Sequence, residues 1–254
     1  MNSARQMCPP LLQLTPGKVV NVMNATELAR RIDHTILKPQ ATRAEVERIV
    51  SEARQWGFAS VCVQPIWCRM VAGLLAGTGV ETCTVAGFPH GANKPLIKAV
   101  EASQAIKDGA TEVDVVAHLP YLASGDLASA KAELVEVVRS ARATRADVIV
   151  KVIVESAYLM SLGEPQAERA IEVACSAVRE SGCDYIKTST GYLPAGGATV
   201  EAVRLMKKYG QGLKIKAAGG IRDLRTALAM VEAGADRLGM SASVAVMKEL
   251  SQRA

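Results

Sequence analysis

Four ionisable residues sit inside short runs that are otherwise apolar and β-branched: Asp114 in Val113-Asp114-Val115, Lys151 in Val150-Lys151-Val152, Lys187 in Tyr185-Ile186-Lys187, and Lys216 in Ile215-Lys216-Ala217. Taking an ion out of water is costly unless it is paired or used, so each position needs a reason. A set of buried salt bridges holding a core is one reading. Three lysines against one carboxylate leave positive charge over, and that surplus requires an anionic ligand, a neutral amine, or both. Lys187 and Lys216 are expected on neighbouring strands, roughly 5 Å apart by sheet spacing. Two ammonium ions at about that distance repel by roughly 3 kcal/mol at an effective dielectric near 20, which favours loss of one proton. A neutral amine condenses with a carbonyl. The pair therefore points to Schiff-base chemistry, with the second ammonium as modulator and proton donor and with Asp114 moving protons. Lys214 shares the parity of Lys216, and the sequence leaves open which of the two sits deeper.

These residues need a scaffold that gathers them. Residues 42–57 carry Thr42 and Glu45 in capping-box spacing, then Val46, Ile49, Val50, Ala53 and Trp56 on one face, then a terminating glycine, which predicts an amphipathic helix. The apolar run 57–63 follows it as a strand. The same glycine-to-strand junction recurs at residues 79–85, 109–115, 182–187 and 234–239, and runs at 32–37, 148–154 and 213–217 bring the strands to eight. Segments of helical length fall near 66–78, 94–108, 126–143, 166–181, 199–209 and 223–233, with a last helix from about Ser241.

Strict alternation forces parallel strands, and eight units predict an α/β fold, a closed (β/α)8 TIM barrel. It forms a single domain over residues 25–254, with a short N-terminal leader over 1–24 expected to be poorly ordered. An open doubly wound sheet would bring a G-x-G-x-x-G turn after its first strand, and the sequence has none there. Counting five residues past each junction glycine lands on Cys62, Thr84, Asp114, Lys187 and Gly239. These are expected at one height near the carboxyl rim, where barrels keep their active sites. Gly219-Gly220-Ile221 after the seventh strand and Gly239-Met240-Ser241 after the eighth are placed to offer backbone N–H groups to a phosphate.

Composition narrows the classes. The 254 residues hold 30 Lys plus Arg against 25 Asp plus Glu, and 49% are hydrophobic, the balance of a soluble globular enzyme. The five excess positive charges are dispersed, which argues against nucleic acid as a partner. No apolar run is long enough to span a bilayer, and Pro9, Pro10 and Pro16 interrupt the apolar residues near the start, so no signal peptide is expected and the protein is read as cytoplasmic. Six cysteines without a C-x-x-C pair, and three histidines without H-E-x-x-H, predict reduced thiols and no metal site. A cysteine such as Cys62 in an apolar strand is ordinarily inert.

Taken together, Ile32-Asp33-His34-Thr35, Glu112-Val113-Asp114, Lys151-Val152-Ile153, Lys187-Thr188-Ser189-Thr190-Gly191 and Lys216-Ala217-Ala218-Gly219-Gly220-Ile221 give the chain, from about residue 26 to 250, a sequence that resembles the deoxyribose-phosphate aldolase family. The resemblance implies a class I lyase without metal or cofactor, acting in deoxyribonucleotide catabolism. It would cleave 2-deoxy-D-ribose 5-phosphate reversibly to glyceraldehyde 3-phosphate and acetaldehyde. Lys187 would carry the imine, with Asp114 and Lys216 as its proton relay. Substrate contacts are expected from Asp33, Thr35, Cys62, Lys151, Thr190, Gly191, Gly219, Gly220, Ile221, Gly239 and Ser241, the phosphate facing Gly191, Gly219, Gly220, Gly239 and Ser241. Asp33, His34 and Thr35 could equally serve to tie the first strand to its neighbour. A homo-oligomer, dimer or tetramer, is implied as well. Two departures bear on substrate choice: His118 and Pro120 stand where the family has asparagine and glycine, and Ser241-Ala242 replaces a common serine pair. A Schiff-base aldolase for another phosphosugar and a noncatalytic sugar-phosphate-binding barrel are the alternatives.

Overall fold

In helix α2 (Arg43–Trp56) the Thr42 side chain accepts the Glu45 N–H, the Glu45 carboxylate accepts the Thr42 N–H, and Gly57 at φ 66° ends the helix in the left-handed region. Three residues on begins strand β2 (Ser60–Val63), which is fully buried. This unit is repeated around the molecule, a computed structural model that describes residues 23–253. The leader expected over residues 1–24 lies, through residue 22, outside the described residues.

The strands are β1 (Ile32–Ile36), β2, β3 (Glu81–Ala86), β4 (Glu112–Val116), β5 (Ile149–Ile153), β6 (Tyr185–Lys187), β7 (Lys214–Ala218) and β8 (Arg237–Met240). Each pairs in parallel with the next, and β1 pairs with β8, closing an eight-stranded barrel. Helices α3 (Cys68–Leu75), α4 (Pro95–Lys107), α6 (Leu127–Thr144), α8 (Gln166–Glu180), α9 (Val200–Gly210), α10 (Leu224–Glu232) and α11 (Ser243–Ser251) wrap it together with α2. Three short helices have no counterpart in the sequence reading: α1 (Ala25–Ala29), α5 (Leu119–Ser124) and α7 (Ser156–Met160).

Alternation along each strand sorts the chemistry. Val61, Val113, Val115, Val150, Val152, Ile186, Ile215 and Leu238 belong to the main apolar core with the helices. Their neighbours Asp33, Cys62, Cys83, Asp114, Lys151, Lys187 and Lys216 are just as deeply buried and face inward. The one break in the counting is at β3. Strands β2, β4, β6 and β8 begin three residues after their junction glycines, whereas β3 begins two after Gly79, and one residue reverses every side chain. So Cys83 faces Asp114, its Sγ 3.4 Å from Oδ1, and Thr84, expected on the inner rim, turns its hydroxyl to the Val63 carbonyl instead.

Candidate active site

Register brings Asp114 of β4 beside Lys151 of β5, and Lys187 of β6 beside Lys216 of β7. Across the barrel the three ammonium groups meet on one carboxylate. Lys187 Nζ and Lys216 Nζ donate to Asp114 Oδ2 at 2.8 and 2.7 Å, and Lys151 Nζ donates to Oδ1 at 2.8 Å. Below this hub Lys216 lies 2.5 Å from Asp33 and Lys151 2.6 Å from Glu112. Arg237 closes the base, 2.6 Å from Asp33 and 3.4 Å from Glu112, and the Ser60 hydroxyl donates to Asp33 at 2.7 Å. Asp33 Oδ2 meets Lys216 as a charge contact without the alignment of a hydrogen bond.

The sequence promised three lysines on one carboxylate. The barrel adds Glu112, Asp33 and Arg237, so four cationic side chains face three carboxylates. Burial works to raise the Asp114 carboxyl, but Lys151, Lys187 and Lys216 outweigh it and hold it well below the ordinary range. Asp33 is held low in the same way by Lys216, Lys151 and Arg237. Burial would depress Lys151, Lys216 and Arg237, and the surrounding carboxylates raise all three instead. The direct repulsion expected between Lys187 and Lys216 is thus bridged by a shared anion. Lys214, whose depth the sequence left open, sits exposed at the start of β7 with its ammonium over the Tyr185 ring, while Lys216 is buried.

Lys187 lines a cavity of about 440 Å³ at the carboxyl end of the barrel. Thr35, Thr190, Gly191, Gly219, Gly220, Ile221, Gly239 and Ser241 line it too, whereas Asp33, Cys62, Asp114, Lys151 and Lys216 lie beneath its surface. Thr188 fastens the strand bearing Lys187, its hydroxyl donating to the Ala218 carbonyl and accepting the Ala218 N–H, both at 2.9 Å. Buried Glu155, at φ 51°, accepts the Thr190 N–H at 2.7 Å and so holds the following loop. Gly219 and Gly220 take φ of 89° and 80°, a turn that other L-residues resist. A Cβ on Gly239 would lie 3.0 Å from Lys216 Cε, so the glycine makes room for that side chain.

The sequence assigns no role to Glu112, beyond its place in Glu112-Val113-Asp114, or to Arg237, although each stands two residues before an inward position and shares its parity. Lys38, Arg48, Tyr192 and Arg222 at the mouth carried no pattern, and Glu45 there was legible only as a helix cap. His34 faces the helices, Nε2 2.6 Å from Glu52 and Nδ1 2.9 Å from Ser243. The His118 ring packs edge-on against Tyr121. Two buried groups bring three donor atoms together, Cys62–Cys83–Asp114 and Asp33–Cys83–Glu112. The second surrounds the Lys151 ammonium, which lies 3.3 Å from Cys83 Sγ, 2.6 Å from Glu112 and 3.7 Å from Asp33 and so fills the place a cation would take there.

An amine at the floor of an open cavity, set on a carboxylate with fixed cations behind it, suits carbonyl condensation followed by proton transfer. Comparison with known proteins agrees with that chemistry. The family described as DeoC/LacD family aldolase matches residues 28–248. The deoxyribose-phosphate aldolase of Caldanaerobacter subterraneus subsp. tengcongensis is 47% identical over 223 residues, covering 87% of this chain and 93% of that protein. That of Enterococcus faecalis is 45% identical over 222 residues, covering 87% and 96%. Among solved structures, the tetrameric deoxyribose phosphate aldolase from Aeropyrum pernix superposes with a TM-score of 0.80 at 33% identity, covering 91% of this chain and 94% of that one.

Proposed function

The chain belongs to the DeoC/LacD family of aldolases, and on that premise we infer that Lys187 is the imine-forming residue of a class I deoxyribose-phosphate aldolase. The enzyme is a lyase. Its reaction is the reversible cleavage of 2-deoxy-D-ribose 5-phosphate to glyceraldehyde 3-phosphate and acetaldehyde. The observation that carries the residue assignment is that Lys187 is the one lysine of the Asp114 hub that lines the cavity.

Condensation needs a neutral amine. Loss of one proton from the inward set leaves three cations facing three carboxylates, and Lys151, Lys216 and Arg237 are each held protonated by their partners. Lys187 then adds to the C1 aldehyde of the open-chain sugar, and water departs to leave a protonated imine. A proton is taken from the C3 hydroxyl, the C2–C3 bond breaks, and its electron pair flows into the imine to give an enamine. Glyceraldehyde 3-phosphate leaves. The enamine is protonated at C2 through the Asp114 and Lys216 relay, and hydrolysis frees acetaldehyde and Lys187. The imine is itself the electron sink, so these steps are complete without a metal or organic cofactor. Thr190, Gly191, Gly219, Gly220, Ile221, Gly239 and Ser241 hold the phosphate end, and Thr35 contacts the sugar. Asp33, Cys62 and Lys151 act on the substrate through the hub they support.

Reduction with borohydride in the presence of labelled deoxyribose 5-phosphate is expected to leave the label on the peptide containing Lys187. Label on a different lysine, or turnover without any trapped adduct, overturns the assignment.

The same reading extends to assembly and location. We propose a homo-oligomer, a reading supported by the tetrameric relative and by the outward side chains of Ile66, Leu96, Ile97 and Val100 on the α4 side. A cytoplasmic location is proposed with it, a reading with which five free, buried cysteines among the described residues are compatible. No helix among the described residues is long and apolar enough to cross a membrane.

A further inference from the structure

We propose that Lys98 and Glu133, a buried ion pair outside the barrel, are positioning residues that fix the β3–α4 loop and the end of β4 against the aldehyde end of the site. The inference rests on the assignment of Lys187 and Asp114 to the chemistry. Lys98 lies on α4 and Glu133 on α6, both buried, and no step of the reaction uses either.

The Lys98 ammonium has three donors, and each has a destination. One goes to the Gly91 carbonyl at 2.6 Å, one to the Val116 carbonyl at 2.8 Å and one to the Glu133 carboxylate. The second Glu133 oxygen accepts the His118 N–H at 3.0 Å. One charge pair therefore joins the β3–α4 loop, through Gly91, to the last residue of β4, to the chain just past it, and to α6. Val116 stands two residues after Asp114 on the same strand.

The loop is seated closely on what it is tied to. A Cβ on Gly91 would lie 2.2 Å from the Ala117 carbonyl oxygen, and one on Gly87 would lie 3.0 Å from the Lys98 stem. The Gly87 N–H is fixed in turn by the Glu101 carboxylate at 2.7 Å. Between these anchors the loop carries Phe88, which packs on Leu37, Cys62, Cys83 and Val85 and meets Tyr192 edge-on at 5.3 Å. Tyr192 lines the cavity with Lys187. The latch thus holds Phe88 against Tyr192, a wall of the cavity that also holds Lys187, while the glycine turns after β7 and β8 leave the barrel from other strands.

Stability alone is a poor reason for such a pair, because a buried ion pair replaced by packed apolar side chains of similar size often leaves a protein equally stable or more so. Burial pushes the Lys98 ammonium toward its neutral form against the pull of Glu133, so the arrangement works against its own charge. What an apolar pair cannot supply is the set of directed bonds to Gly91, Val116 and His118.

The test compares Lys98→Met, Glu133→Gln and the double variant Lys98→Met/Glu133→Met. The single Lys98→Met variant is expected to lose about tenfold or more in kcat, a misplacement effect, with KM for the phosphosugar within about twofold because the phosphate end is untouched. Glu133→Gln, which keeps an acceptor for His118, retains most of the turnover. The double variant regains thermal stability and leaves kcat low. Amide exchange over residues 87–94 quickens in both Lys98 variants, a readout that needs no substrate and so stands apart from whether Lys187 is trapped by borohydride in the wild type. Recovery of kcat together with stability in the double variant, or unchanged exchange over 87–94, would make the pair a packing feature and overturn the proposal.

Discussion

Lys187 and Lys216 share one oxygen of Asp114, yet their removal has opposite expected effects on the fold. Deleting Lys187 takes a charge from the side that is in excess. Lys187→Ala should therefore abolish the borohydride adduct and lower cleavage by about 10³-fold or more, while the denaturant midpoint stays level or rises. Lys216 serves both Asp33 and Asp114, and Lys216→Met strands buried carboxylates, at a cost of about 3–5 kcal/mol. Urea titration of the two variants separates the outcomes, and equal midpoints would contradict the charge count. His34 sets a pH limit. Its burial lowers the ring below the ordinary 6.5, against the pull of Glu52. A neutral ring can still donate Nε2–H to Glu52, with Nδ1 2.9 Å from the Ser243 hydroxyl. The unfolded chain binds a proton near 6.5 that the folded one refuses, so stability present above that pH declines as pH falls from 6.5 toward the lowered folded value. His34→Gln should flatten that slope, as followed by melting temperature between pH 5 and 7.

At the scale of elements, the decisive close approach is between β7 and β8. Gly239→Ala places a methyl 3.0 Å from both Lys216 Cε and Ala218 Cβ. The expected cost is about 1–3 kcal/mol from overpacking, and kcat should drop by about tenfold as the Lys216 amine moves off Asp114. A variant with wild-type kcat would show that the amine has slack. Much of this level could be read from the sequence, since four strands follow a glycine at or just past the cap of a helix and β3 follows Gly79 in the turn after α3, and that pattern needs no tertiary contact to form. What escaped did so for local reasons. The turn at Gly79 is one residue shorter than its counterparts, so Thr84 was assigned the place that Cys83 holds. Helices α5 and α7 have six and five residues, too few for a period of 3.6 to register. Glu112 and Arg237 open their strands, where a charge passes for the edge of a loop. Lys214 and Lys216 have the same parity and differ only in height along the barrel, a coordinate that one strand read alone does not contain.

At the scale of the molecule, the apolar side chains left outside the closed barrel make assembly testable. Ile66 is 83% and Val100 56% exposed, in contrast to the buried faces of the other helices. Light scattering should give the mass of a dimer or tetramer, and Ile66→Asp with Val100→Asp should reduce it to that of the monomer. A wild-type monomer at micromolar concentration would rule the assembly out. The ring of strands has a further consequence for how the enzyme comes into being. Its ionic centre draws Asp33 from β1, Asp114 from β4, Lys151 from β5, Lys187 from β6, Lys216 from β7 and Arg237 from β8. A nascent chain released after five strands holds the acids without most of the bases, so its interior is electrically unfinished until the eighth strand meets the first. Catalysis should then emerge in refolding only with the last seam, trailing the return of helical signal, and two separately made halves should be silent apart and active when mixed.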